Sequence, residues 1–195
     1  MSEGTIIYNV IIHSADASAT ILGNATVTDY LKGSLSRTEM SSSVGNEATI
    51  HDAKSGASVI LKEYSGQKLM ITLTKENWDT RNKKYDGLIF KYDNNGIKPI
   101  NGYNCKKATT QLSDGSIITV YYTTDMNVFN KEYDQAFKNL NGFPVQYEVG
   151  NSKLKFIYTL SSVDFNTVPS AKFDFPKSGY RIMTYEESEQ NKRGN

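Results

Sequence analysis

Cysteine occurs once in 195 residues, at Cys105, so no intramolecular disulfide and no cysteine-built metal site can form. Histidine occurs twice, and His13 and His51 stand too far apart for a local metal-ligand spacing. Charge of one sign is also missing. Lys and Arg number 22 against 21 Asp and Glu, a net charge of +1, which supplies no overall field to hold nucleic acid or an anionic membrane. Apolar runs are short, and no window approaches 18 uninterrupted residues, so no helix is expected to span a membrane. The opening Met1-Ser2-Glu3-Gly4 lacks the basic stretch and apolar run of a secretory leader. Without a glycine-rich phosphate loop, Lys83-Lys84 and Lys106-Lys107 read as solvated surface.

Aromatic residues, by contrast, are plentiful: 13 Tyr, 8 Phe and 1 Trp. Tyrosine favours half-buried strands with one wet face, and the alternation of apolar and polar residues agrees. Phe143, Val145, Tyr147 and Val149 alternate with Pro144, Gln146 and Glu148. Leu154, Phe156, Tyr158 and Leu160 then alternate with Lys153, Lys155 and Thr159. Gly150-Asn151-Ser152 between them suits a hairpin turn. A second hairpin is expected at Cys105 to Leu112 and Ile117 to Tyr122, around Asp114-Gly115.

Further strands are expected over Thr5 to Ile12, Ala25 to Leu31, Ser34 to Met40, Ala48 to His51, Ser58 to Lys62 and Lys68 to Leu73. Glycine-containing turns separate them at regular intervals, as in an antiparallel meander. Lys75 to Asp86 is polar with Trp78 as its one apolar anchor, and reads as a mobile loop or poor helix. Asp93-Asn94-Asn95-Gly96 reads as a turn.

One helix is expected between Thr124 or Asp125 and Asn141-Gly142. Phe129, Tyr133, Phe137 and Leu140 recur at spacings of four, four and three and so share a face. An amphipathic helix of this kind must lie on the sheet. Thr184-Tyr185-Glu186-Glu187 fits a capping box and starts a short final helix that frays from about residue 188. The expected architecture is mainly β (α+β): one domain over residues 1–187 and a tail over 188–195. A strongly curved antiparallel sheet or half-barrel carries the main helix on its concave face, with a short C-terminal helix.

No motif nominates catalysis. Ser65-Gly66-Gln67-Lys68 matches Ser-x-x-Lys, but it is a turn entering a strand, without the companion motifs of that enzyme class. Asp52, Asp86, Asp93, Asp114 and Asp125 fall at turns and strand ends, where Asp bonds its own backbone. Cys105 within a strand reads as a small buried hydrophobe. Asn24-Ala25-Thr26 is a glycosylation sequon by pattern alone.

Ile100-Asn101-Gly102-Tyr103-Asn104-Cys105-Lys106-Lys107 resembles the Ile-x-Gly-Tyr-x-Cys-Lys-Lys signature of a bacterial envelope family of unknown function, grouped with GLPGLI-type proteins. Val120-Tyr121-Tyr122-Thr123-Thr124-Asp125, Leu140-Asn141-Gly142-Phe143-Pro144-Val145 and Phe175-Pro176-Lys177-Ser178-Gly179-Tyr180 continue the likeness in order. It covers residues 98–187, and the first half only in strand rhythm. The resemblance implies a fold like the LolA and LolB lipoprotein carriers and work in the periplasm or otherwise outside the cytoplasm, from which the missing leader is a departure.

On this basis the first functional reading is a non-catalytic envelope protein that binds a lipid, a lipoprotein acyl chain or another apolar ligand in the curved sheet, without a cofactor or metal. The residues expected to face that ligand are Phe129, Tyr133, Phe137 and Leu140 of the helix, and Tyr122, Tyr147 and Tyr158 of the strands. Two alternatives stand beside it: a protein-interaction or structural module with a closed core, and an enzyme whose groups converge only in space.

Overall fold

The computed structural model describes residues 1–14, 21–150 and 153–193. Twelve strands form one large, open, curved sheet that does not close into a barrel. The strands are β1 (Glu3–Ser14), β2 (Ile21–Lys32), β3 (Leu35–Ser42), β4 (Gly45–Asp52), β5 (Ser58–Tyr64), β6 (Gln67–Leu73), β7 (Lys91–Ile100), β8 (Tyr103–Gln111), β9 (Ile117–Thr123), β10 (Phe143–Gly150), β11 (Leu154–Asp164) and β12 (Arg181–Thr184). Their order across the sheet is β12-β6-β5-β4-β3-β2-β1-β11-β10-β9-β8-β7. All neighbours are antiparallel except β12, which adds to β6 in parallel. β1 lies near the middle and joins the two meanders, pairing with β2 on one side and β11 on the other.

All six strands expected in the first half are present, as are both later hairpins. Asn151 and Ser152 of the last hairpin's turn lie outside the described residues. The segment expected as a turn at Asp93–Gly96 instead runs within β7, where pairing with β8 is interrupted between Asp93 and Lys98.

Register sorts the side chains onto two faces. Tyr8 pairs with Val27 and Leu160, Tyr147 with Tyr158 and Val120, and Asp29 with Thr38, so these residues share what we term the inner face. Its core gathers Ile6, Tyr8, Val10, Val27, Leu31, Val120, Val145 and Leu160, all under 5% exposed. On the outer face, Ile50, Val59, Leu61 and Met70 are sealed by the chain after β11, through Val168 and Phe173. That strap is held by polar contacts: Lys32 Nζ donates to the Val168 carbonyl at 2.8 Å and Arg37 Nη1 to the Lys172 carbonyl at 3.1 Å.

The helix on the inner face is not formed by the residues expected to form it. Helix α1 is Lys75–Asn82, within the polar segment, and a single 3-10 turn at Lys83–Tyr85 follows. A capping box fixes its start: the Thr74 hydroxyl accepts from the Asn77 N–H at 3.2 Å while Asn77 Oδ1 accepts from the Thr74 N–H at 3.0 Å. Trp78 then drops its ring flat on His51 of β4, with centroids 4.0 Å apart, beside Ile60, Ile71 and Leu73.

The expected helix over 125–141 is corrected: the segment is irregular, with one 3-10 turn at Lys131–Tyr133. Its polar side chains take the backbone for themselves. Thr123 Oγ1 accepts from the Asp125 N–H, Asn130 Oδ1 from Glu132 and Asp134 Oδ1 from Ala136, each at 3.1 Å. Such local turns compete directly with a helix. The Phe129 N–H is also spent elsewhere, on the Met1 carbonyl at 2.8 Å. Gly142 does not cap a helix either: a Cβ there would stand 2.6 Å from the Thr123 carbonyl, so glycine lets β10 start against β9. At the other end α2 (Tyr185–Arg193) has the expected capping box, with Thr184 and Glu187 exchanging bonds at 2.8 and 3.2 Å. It continues through Arg193.

Candidate functional site

Between α1 and the irregular 124–142 connection the inner face is left open as a groove of about 400 Å³. Its walls come from three directions. Trp78, Arg81 and Tyr85 descend from α1 and the turn after it; Tyr133 to Phe137 approach from the connection. Val27, Asp29 and Thr38 of β2 and β3 with Tyr147 and Tyr158 of β10 and β11 make the floor. These two strand pairs flank β1, so the curvature of the sheet brings both into one hollow.

The aromatic floor is ordered by ring contacts. Tyr147 and Tyr158, directly paired across the strands, stack with centroids 4.5 Å apart. Phe137 meets Tyr147 edge-on at 4.7 Å, and Tyr8 meets it edge-on at 5.6 Å. Tyr8 is locked below the floor by donating to the Pro144 carbonyl at 2.8 Å.

Four of the seven residues singled out from sequence line this groove: Tyr133, Phe137, Tyr147 and Tyr158. The other three do not. Leu140 is 1% exposed within the core, and Tyr122 packs edge-on against Tyr92 at 5.6 Å, away from the opening. Phe129 is 81% exposed, because without a helix it shares no face with Tyr133 and Phe137.

Sequence reasoning passed over two acids that line this groove. Asp29, 5% exposed, accepts from the Thr38 hydroxyl at 2.5 Å. Burial pushes its acid constant up to about 7, and the nearby Asp134 adds to the rise. Asp134 stands half-buried at the groove wall. Surrounding protein raises its constant to about 6, against the pull of N–H donors from Ala136 and Phe137. Burial likewise holds the Tyr8, Tyr133 and Tyr147 hydroxyls well above their ordinary range. One signal for Asp29 was legible: it interrupts the apolar phase Ala25, Val27, Leu31 of a strand. Asp134 gave none, since it fell on the polar side of the expected helix.

His51, stacked under Trp78, is held by Ser58 Oγ at 2.8 Å from Nδ1, and burial lowers its affinity for a proton. Among the described residues no three His, Cys, Asp or Glu side chains are grouped to hold a metal, and no helix is long and apolar enough to cross a membrane.

The residues that carry the resemblance at Ile100 to Lys107 lie outside the groove. Asn101 and Gly102 both take positive φ, 47° and 85°, and make the tight turn between β7 and β8. Asn101 Nδ2 ties that turn to the Leu160 carbonyl at 2.5 Å. Cys105 is 1% exposed in the core, and burial raises its thiol constant, so it is an inert packing residue.

No family model matches the chain, and no curated protein does. Solved structures share its fold. It superposes on the structure of PNGF-II with a TM-score of 0.55 and 14% identity, over 96% of this chain but only 33% of that one. An uncharacterized conserved protein from Thermus thermophilus gives a TM-score of 0.51 at 8% identity, over 91% of this chain and 90% of that one. At such identities the likeness shows the fold alone. A putative outer membrane lipoprotein-sorting protein domain from Vibrio parahaemolyticus matches at a TM-score of 0.23 and 8% identity over 88% and 89% of the two chains, too distant to argue from.

Proposed function

We propose that this protein is a non-catalytic carrier of an amphipathic small molecule, held in the inner groove and handled outside the cytoplasm. The observation that carries this reading is the groove itself: about 400 Å³ lined by the rings of Phe137, Tyr147 and Tyr158, within the range of small-molecule sites. An alkyl or acyl chain laid on these rings gains the same favourable burial that packs the core beneath them. Asp29, Thr38, Tyr133 and Asp134 line the same groove, so the ligand of this reading carries a polar group as well as a chain. The extracytoplasmic setting rests on the resemblance at Ile100 to Lys107.

Trp78 reports on this site without labelling, because it is the single tryptophan and lines the groove. Titration with 12-bromododecanol, a neutral chain whose bromine quenches indole, is expected to give saturable 1:1 quenching. Quenching that rises linearly to the solubility limit, as for random collision, overturns the reading. Native mass spectrometry of the purified protein then shows what the groove carries.

A further inference from the structure

We infer that the ligand's polar end is a cation, an ammonium group seated on the Asp29–Asp134 pair and framed by the rings of Tyr133, Tyr147 and Tyr158. The inference deepens the carrier reading and rests on it.

The pair is anomalous by its lack of counter-charge. Among the described residues neither Asp29 nor Asp134 makes an ion pair with Lys, Arg or His; the ion pairs of the fold all lie elsewhere. Buried acids are ordinarily neutralised by such a partner. Asp29 is buried to 5% exposure on the groove floor, and its one hydrogen-bond donor is the Thr38 hydroxyl, whereas a carboxylate offers about four acceptor positions. Asp134 has backbone donors only.

Four tyrosines stand near the pair. Tyr8 from β1, Tyr133 from the connection, and Tyr147 and Tyr158 from β10 and β11 all sense the charge of Asp29. None of them is a base. At the mouth Glu47 of β4 is already matched by Lys62 at 3.0 Å, and Arg81 of α1 lines the exposed rim. Two acids in a groove lined by aromatic rings repel an anionic head and attract a cationic one, through both charge and the negative ring faces.

Burial lets each acid keep its proton into the range of about 6 to 7, and an arriving ammonium takes that proton's place. Binding therefore releases protons near neutrality.

Three probes of equal chain length separate the possibilities: dodecylammonium, dodecanol and dodecanoate, each followed by Trp78 fluorescence and calorimetry below micelle formation. At pH 8 dodecylammonium is expected to bind at least about tenfold more tightly than dodecanol, with dodecanoate weakest. That preference should shrink as the pH falls from 8 to 5. Its binding heat should vary with the ionisation heat of the buffer, which reads proton release in the unmodified protein. In Asp29→Asn, and separately in Asp134→Asn, the ammonium-to-alcohol ratio should fall toward one. Equal affinity for the ammonium and the alcohol, a preference for dodecanoate, or a ratio unmoved by both substitutions overturns the cation inference while leaving the carrier reading intact. Failure of all three probes to bind overturns both.

Discussion

Helix α1 and the 124–142 connection both cover the inner face of one sheet, α1 as a regular helix with one apolar anchor, the connection as an irregular run carrying several apolar side chains. The sequence pattern pointed the other way. Phe129, Tyr133, Phe137 and Leu140 have helical spacing, yet Asn130 and Asp134 close local turns and the Met1 carbonyl takes the Phe129 N–H. Lys75–Asn82 has almost no apolar periodicity, yet Thr74 and Asn77 close a capping box and one tryptophan seats it. Covering a sheet thus requires a few anchored contacts, and whether the backbone between them is helical is decided by its capping and turn chemistry. The space between the two covers is the groove.

The largest effects should fall on the anchors. Trp78→Ala removes the ring stacked on His51 and should cost about 3 kcal/mol in denaturant unfolding. Phe137→Ala should cost a similar ~3 kcal/mol, whereas Phe129→Ala should stay within about 0.5 kcal/mol. Equal costs at 129 and 137 would restore a helix with a shared buried face and break the comparison.

Next in size is the pH dependence of the groove. Asp29 keeps its proton in the folded protein up to about pH 7 but sheds it near its ordinary 3.8 when unfolded. Between those values the folded state binds more protons, so stability falls as the pH rises through the window. Asp29→Asn has no proton to lose. It should flatten that slope and be more stable than the unmodified protein at pH 8, as measured by thermal unfolding across pH. A more modest loss should come from Thr74→Ala, which removes the cap of α1 at a cost of about 1 kcal/mol.

Strands were legible because alternation and turn residues act locally: Asp114-Gly115 and the glycines between β2 and β6 announce hairpins whatever lies beyond them. The covers were not, because a helical spacing of aromatics is also what any segment needs to lay two rings on a sheet, and the competing turns depend on single Asn and Asp side chains. Of the site, Tyr147 and Tyr158 were readable as paired apolar positions of a hairpin. Tyr122 satisfies the same pattern but ends in the core, since alternation assigns a face and says nothing of which part of that face stays open. The Asp29–Asp134 meeting joins residues more than one hundred positions apart and is made only by the fold.

The most direct test of the account is the location of a heavy-atom ligand. A crystal of the protein with 12-bromododecanol should show anomalous bromine signal inside the groove, between Trp78 and the Tyr147–Tyr158 stack. Bromine found in any other hollow of the molecule, or in none at saturating probe, would contradict the assignment of the groove as the binding site.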